Sequence, residues 1–285
     1  MKTNSHPFPV ARRRTILTLP FALALASCAS AATPSATLQQ AIASPLREPK
    51  ARARDAYRHP AETLQFFKLS PDQTVIEIDP GAGWYTDILA PYLRATGTLY
   101  EAQYLEPGSK GNDGEAGMRA AFEKKLAATP SVYGEVKVGT LQAGNFDGFG
   151  GSLQGKADRV LTFRNIHNWM EDGQLEANLR AFYAALKPGG MLGVEEHRAV
   201  PGTPLQKMID TGYVTEAYVI NRVSAAGFLL DGKSEINSNP RDTKDYPNGV
   251  WSLPPTYRGG DTDRARFAAI GESDRMTLRF IKRQA

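Results

Sequence analysis

With a single cysteine, Cys28, among 285 residues, no disulfide can form within the chain. Histidine is nearly as scarce: beyond the first thirty residues only His59, His167 and His197 remain. Their spacing follows no metal-ligand pattern, so no metal is expected. No apolar run reaches the ~20 residues of a membrane-spanning helix, the best candidate being Thr15 to Ala26. Internal repeats are absent, and 41% hydrophobic with 22% charged residues excludes the composition of a disordered chain. A surplus of one charge is missing too. The formal +4 comes from Lys2, Arg12, Arg13 and Arg14, and without residues 1–27 bases and acids balance. The electrostatic case for a nucleic-acid partner goes with that segment.

What the first residues do contain is the layout of an export signal. Arg12-Arg13-Arg14 precedes the short apolar run, and small residues follow it. Arg13-Arg14-Thr15-Ile16-Leu17 resembles a twin-arginine signal, which sends a protein out already folded. Leu25-Ala26-Ser27-Cys28 resembles a lipobox, in which Cys28 would become the lipidated first residue; the other reading is plain cleavage within Ala29-Ser30-Ala31-Ala32. The expected location is the periplasm, with Cys28 as the only expected membrane anchor. The expected organisation is a signal over 1–31, a linker with N-terminal helices over 32–70 and one domain over 71–285.

From Thr74 onward short β-branched runs alternate with amphipathic segments, the pattern of βαβ units around a mostly parallel sheet. Strands are predicted at 74–78, 98–103, 136–140, 159–162 and 191–195, and helices at 85–93, 114–128, 175–186 and 205–226. Two further strands, 228–236 and 275–282, flank a polar loop and are expected to pair antiparallel at the sheet's end.

The first strand ends in Glu77-Ile78-Asp79-Pro80-Gly81-Ala82-Gly83, and a helix opens directly after. Glycines suit a sharp strand-to-helix turn that lets a ligand approach the backbone, and the helix start offers free N–H groups. This marks Glu77, Asp79, Gly81, Gly83 and Tyr85 as candidate cofactor residues. The second strand would present an acid to ribose hydroxyls, since a carboxylate can accept from both. Gln103 holds that place, with Glu101 and Glu106 nearby. Asn145 and Phe146, after the third strand, are candidates for the base of a nucleotide.

The densest polar cluster follows the fourth strand: Arg164, Asn165, His167, Asn168 and Trp169. In a doubly wound sheet, ligands sit beyond the carboxyl ends of the strands. Arg164 is assigned to the cofactor, and Asn165, Asn168 and Trp169 to a substrate. His167 is the candidate general base, since histidine changes charge near neutral pH; the alternative is a capping histidine above a packed tryptophan. His197 and Arg198, at the end of the fifth strand, are candidate substrate or anion contacts.

The loop Glu77–Gly83 resembles motif I of class I methyltransferases, although Asp79 stands where many members carry a glycine. Leu186-Lys187-Pro188-Gly189-Gly190 resembles the turn entering their fifth strand. With His59-Pro60-Ala61-Glu62-Thr63-Leu64, Glu196-His197-Arg198 and Gly271-Glu272-Ser273-Asp274-Arg275, residues 50–283 are similar to an uncharacterised group of predicted bacterial methyltransferases, often exported. The resemblance implies an α/β, Rossmann-like methyltransferase fold: a mostly parallel seven-stranded sheet, a terminal antiparallel hairpin and helices on both faces. It implies S-adenosylmethionine as cofactor and a small-molecule acceptor. Two other functions stay open, an exported binding protein without catalysis and a nicotinamide-dependent oxidoreductase, the latter disfavoured by Asp79 and the antiparallel end. Export also separates the protein from the cytoplasm, where S-adenosylmethionine is made.

Overall fold

Val75, Ile76, Glu77 and Ile78 of β1 (Thr74–Ile78) are all buried, as a strand covered on both faces requires. Alternate residues serve opposite layers. Ile76 and Ile78 join one core cluster and Val75 the other, and on β5 (Ala157–Phe163) Val160 and Leu161 divide in the same way. The structure, a computed structural model, describes residues 1–2, 36–104 and 114–284. The expected export signal, Cys28 and Glu106 lie outside the described residues.

The remaining strands are β2 (Thr98–Tyr104), β3 (Lys137–Gln142), β4 (Asn145–Asp147), β6 (Leu186–His197), β7 (Phe228–Ser234) and β8 (Arg275–Lys282), in the order β4-β3-β2-β1-β5-β6-β8-β7. Strands β3, β2, β1, β5 and β6 run parallel, while β8 lies antiparallel between β6 and β7. The sheet thus has eight strands where seven were expected. The extra one is β4, three residues turned back on β3 through Ala143 and Gly144, both at positive φ. So short a strand leaves no run for periodicity to register.

Helices α1 (Leu38–Ile42), α2 (Pro49–Arg52), α3 (Asp55–Arg58) and α4 (Pro60–Phe66) precede the sheet. Thr37 and Gln40 form a capping box on α1. His59, at φ 40°, separates α3 from α4, and Pro60 opens α4 where its missing N–H costs nothing. Within the segment expected as a linker with N-terminal helices, the residues from Thr37 on form these short helices and pack against the sheet's core. Ala41, Leu64 and Phe67 enter the second core cluster, and the fully buried Arg47 grips Asp55 through two bonds of 2.6 and 2.8 Å.

The other helices are α5 (Thr86–Leu93), α6 (Gly114–Ala128), α7 (Pro130–Tyr133), α8 (Ile166–Glu171), α9 (Leu175–Ala185), α10 (Leu205–Thr211), α11 (Glu216–Ala225) and α12 (Arg264–Ile270). Ile88 and Leu89 of α5 with Phe122 of α6 fill one face of the sheet, and Leu179 and Phe182 of α9 with Val219 and Val223 of α11 fill the other. The single helix expected over 205–226 is two. Gly212, at φ 70°, ends α10 in the left-handed conformation that glycine tolerates, and the Thr215 side chain caps α11 by accepting from Tyr218 N–H. Among the described residues no helix is long and apolar enough to cross a membrane.

Trp169 belongs to this core. It is 2% exposed and meets Phe182 edge-on at 5.5 Å. Trp169→Ala should therefore lower unfolding free energy by about 3–5 kcal/mol in a denaturant titration, as large-to-small core changes do. A loss under ~1 kcal/mol would contradict its core role.

Candidate functional site

Strand order reverses between β1 and β5, since β1 leads outward to β2, β3 and β4 while β5 leads to β6 and the antiparallel end. Such a reversal opens a crevice at the carboxyl ends of the strands, where open α/β sheets bind ligands. Two segments meet there: Asp79–Gly83 after β1, and Arg164–His167 after β5. Asn165 joins them, its Nδ2 donating to Ile78 O at 2.9 Å and to Thr162 Oγ1 at 3.1 Å.

Both edges of the crevice hold unusual backbone. Asp79 and Arg164 adopt φ of 48° and 64°, left-handed conformations that cost a residue with a Cβ about 1–2 kcal/mol. Such strain concentrates at functional sites. Gly81 (φ 56°) has open space where a Cβ would project, whereas a Cβ on Gly83 (φ 80°) would approach Phe122 to 2.8 Å. Gly83 thus serves the packing of α6, and Gly81 keeps the turn open. Burial pushes the Asp79 carboxyl up to about 6, opposed by a hydrogen bond from the Tyr104 backbone.

Beneath the loop, Glu77 and Glu101 sit directly opposite in the β1–β2 register, both buried. Glu77 accepts from Thr86 Oγ1 at 2.9 Å, and Glu101 faces the same hydroxyl and the Glu77 carboxyl. Burial raises both carboxyls, Glu77 to about 7 and Glu101 well above its ordinary value, and the contact between them raises Glu101 further. The pair can share one proton, so it is a structural acid pair rather than a source of two charges. Two residues beyond Glu101, Gln103 is 2% exposed and its Nε2 has no partner. A buried, unpaired amide N–H at the end of β2 is suited to an acceptor supplied by a ligand.

On the other side of the crevice lies a cavity of about 290 Å³ whose lining includes Arg54, Arg58, Arg164, His167, His197 and Trp251. His167 Nδ1 meets Glu196 Oε1 at 3.1 Å, and Glu196 also accepts from the backbone N–H groups of Ile166 (2.7 Å), His167 (3.3 Å) and His197 (2.8 Å). The carboxylate thereby caps α8 and fixes the ring, leaving Nε2 as the nitrogen without a hydrogen-bond partner among the described residues. His197 Nδ1 meets Ser273 Oγ at 2.6 Å. Burial, then His167 and the arginines, hold His197 well below the ordinary histidine value, so it is neutral. His167, Glu196 and His197 bring ligand-type atoms within 4.8 Å of one another, which the sequence spacing did not suggest. All four bonds to Glu196 come from N–H donors or a ring nitrogen, however, and the arginines oppose a cation.

Several expected site residues stand elsewhere. Tyr85 is buried, stacks on Phe163 at 3.6 Å and donates to Glu195 Oε2 at 3.2 Å. Phe146 packs against Phe149 and Phe182, and Asn145 is exposed on the edge strand. Asn168 is exposed, and Trp169 lies in the core. Arg198 is engaged by Asp274 (2.8 and 3.1 Å) and Glu235 (2.7 and 2.9 Å). The residues missed by reading along the sequence are Arg54, Arg58 and Trp251. Only folding brings them to the crevice, and arginines on a short helix read as solvated charge.

No protein-family model matches the chain. None of the curated proteins is similar to it in sequence. Solved structures are similar in fold. An S-adenosylmethionine-dependent methyltransferase from Aquifex aeolicus superposes with a TM-score of 0.51 at 17% identity, over 71% of this chain and 94% of that one. A protein described as a putative sarcosine dimethylglycine methyltransferase from Galdieria sulphuraria gives 0.55 at 10% identity, over 82% and 85%. The [4+2]-cyclase SpnF gives 0.56 at 14% identity, over 88% and 98%. The chain has the fold these proteins share, that of the class I methyltransferases.

The acid pair sets a pH dependence. Carboxyls raised in the folded state contribute stability below their unfolded values that is lost as pH rises through the folded ones. Unfolding free energy should fall as pH rises from the unfolded carboxyl value of about 4.5 through about 7, where Glu77 titrates, and on beyond it for Glu101, by at most ~1.4 kcal/mol per pH unit for each proton. Glu101→Gln should flatten that fall in denaturant titrations; an unchanged slope would place its origin elsewhere.

Proposed function

We propose that this protein transfers a methyl group from S-adenosylmethionine to a small-molecule acceptor. The observation that carries the reading is the meeting, at one strand-order reversal, of an open glycine loop with a buried, unpaired Gln103 on one side and the Glu196-oriented His167 on the other. Bound there, S-adenosylmethionine supplies an electrophilic methyl on a sulfonium. Methyl transfer needs alignment more than covalent help, which suits a preformed crevice.

Each residue then has a task set by its chemistry. Gln103 donates to a ribose hydroxyl, Asp79 offers a carboxylate to the ammonium of the methionine part, and Gly81 leaves the backbone approachable. His167, held at Nδ1 by Glu196, presents Nε2 to take the acceptor's proton. The fold alone does not dictate this chemistry, as the cyclase on the same architecture illustrates. From the first thirty residues we further propose export, either as a soluble periplasmic protein or anchored through Cys28. On that reading, cofactor supply outside the cytoplasm limits turnover.

Calorimetry should show S-adenosylmethionine and S-adenosylhomocysteine binding to the purified chain, with Gln103→Leu weakening both about tenfold, the worth of one buried hydrogen bond. No binding of either would leave a binding protein of another kind, and binding of a nicotinamide dinucleotide instead would make it an oxidoreductase. Mass spectrometry of the exported protein reads the leader: an N-terminus at a lipid-modified Cys28 supports the anchor, and an intact Met1 removes export altogether.

A further inference from the structure

Four guanidinium groups converge beside the His167 cavity: Arg54 and Arg58 from the N-terminal helices, Arg164 after β5, and Arg275 at the start of β8. Facing them are Glu195 and Glu272, while the third carboxylate, Glu196, is taken up by amides and His167. Four arginines against three carboxylates, with His197 neutral, leave positive charge uncompensated. Arg275 is engaged at both terminal nitrogens, Nη1 donating to Glu272 at 2.8 Å and Nη2 to Tyr57 O, with Nε 3.3 Å from Glu195. The other three are not. Arg54 and Arg58 give only Nε to Glu272, at 2.5 and 3.1 Å. Arg164 makes no side-chain hydrogen bond; its Nη1 is buried without a partner, 3.7 Å from Glu195. Among the described residues, no acceptor thus takes a hydrogen bond from the terminal nitrogens of these three guanidiniums around the cavity.

We propose that this cavity binds the oxyanion of a small organic acid, a carboxylate or a phosphate monoester, with the acid's apolar body against Trp251 and Pro254-Pro255. Planar guanidinium forks match both oxyanions, and 290 Å³ admits a one-ring acid rather than a polymer. Burial and the nearness of Arg164 bring Arg58 down to about 9, a cost that a bound anion relieves. The same charges oppose a metal ion at His167 and His197. The proposal rests on the methyl-transfer reading in one respect, that it makes the acceptor an acid; anion binding itself needs no cofactor.

The test titrates the full chain, without added cofactor, with benzoate, phenyl phosphate and neutral benzamide. At least one of the anions should bind about tenfold or more tightly than benzamide, and the stronger of the two identifies the oxyanion. Arg164→Gln and Arg54→Gln should each weaken that anion about tenfold; the loss of the partly exposed Arg54 leaves Glu272 paired with Arg58 and Arg275, and thermal unfolding of both variants is measured beside binding to separate affinity from stability. Benzamide binding as well as the anions, anion affinity that survives both substitutions, or stoichiometric zinc binding that is lost in His197→Ala would each overturn the proposal. Anion binding without S-adenosylmethionine binding keeps this inference and sinks the methyl-transfer reading, and the reverse pattern sinks only this one.

Discussion

Glu272 and Glu195 are carboxylates with almost no solvent, and arginines from distant parts of the chain compensate them. Burial would push Glu272 upward, yet Arg58, Arg275 and Arg54 together hold it well below the ordinary carboxylate range. Taking such ions out of water costs several kcal/mol each, and removing one partner of a buried pair commonly costs 3–5 kcal/mol. The network therefore has to close as a unit. Closing it docks the helices before β1 onto the last strand, because Arg54 and Arg58 reach Glu272 while Arg275 reaches Tyr57 O. Trp84, directly after the glycine loop, is drawn in as well: its Nε1 donates to Ala51 O, and Arg47 and Arg58 lie over its ring at 4.9 and 4.6 Å. Both sides of the crevice are thus held by one set of charges.

The sheet contributes the crevice itself. Parallel strands leave their carboxyl ends at one edge, and the reversal between β1 and β5 parts the helices there. Asn165 closes the gap between the strand ends below the opening. The antiparallel end adds what a purely parallel sheet would lack. The connection from β7 to β8 spans residues 235–274 and carries Trp251, Glu272 and Ser273 to the cavity wall.

Local chemistry was readable along the chain and assembly was not. Strands β1 and β8 begin and end where their apolar runs do, and the Gly81 and Gly83 turn announces itself because few residues accept positive φ. His167, His197 and Arg164 line one cavity, as strand ends in this architecture allow, although Arg164, assigned to the cofactor, stands on the His167 side. Tyr85 and Trp169 misled for a shared reason: each follows a strand end, yet helical geometry turns its ring inward, and a one-dimensional reading assigns neighbours in sequence to one face. Arg198 could not be told from Arg164, since the difference lies in Asp274 and Glu235, which are 76 and 37 residues away in sequence. The extra helix boundary at Gly212 was visible as a glycine, but an apolar period running through it masked the stop.

Charge gives the crevice a direction. On the loop side the acid pair holds a proton between Glu77 and Glu101, so the carboxylate available to a ligand is Asp79, in a strained backbone position where a glycine would be easier to accommodate. Gln103, uncharged, adds a donor without adding charge. Across the crevice the balance is positive. On the proposed reading, a sulfonium cofactor with an ammonium group would be drawn to the first side and repelled from the second, and an acid would be drawn the opposite way. Two such ligands of opposite charge would then sort into separate ends of one opening, with the reversed arrangement disfavoured by charge and no steric gate required. Glycine in place of Asp79 would ease the backbone and remove that polarity. The strain of about 1–2 kcal/mol at this position is of the size a single well-placed ionic contact can offset.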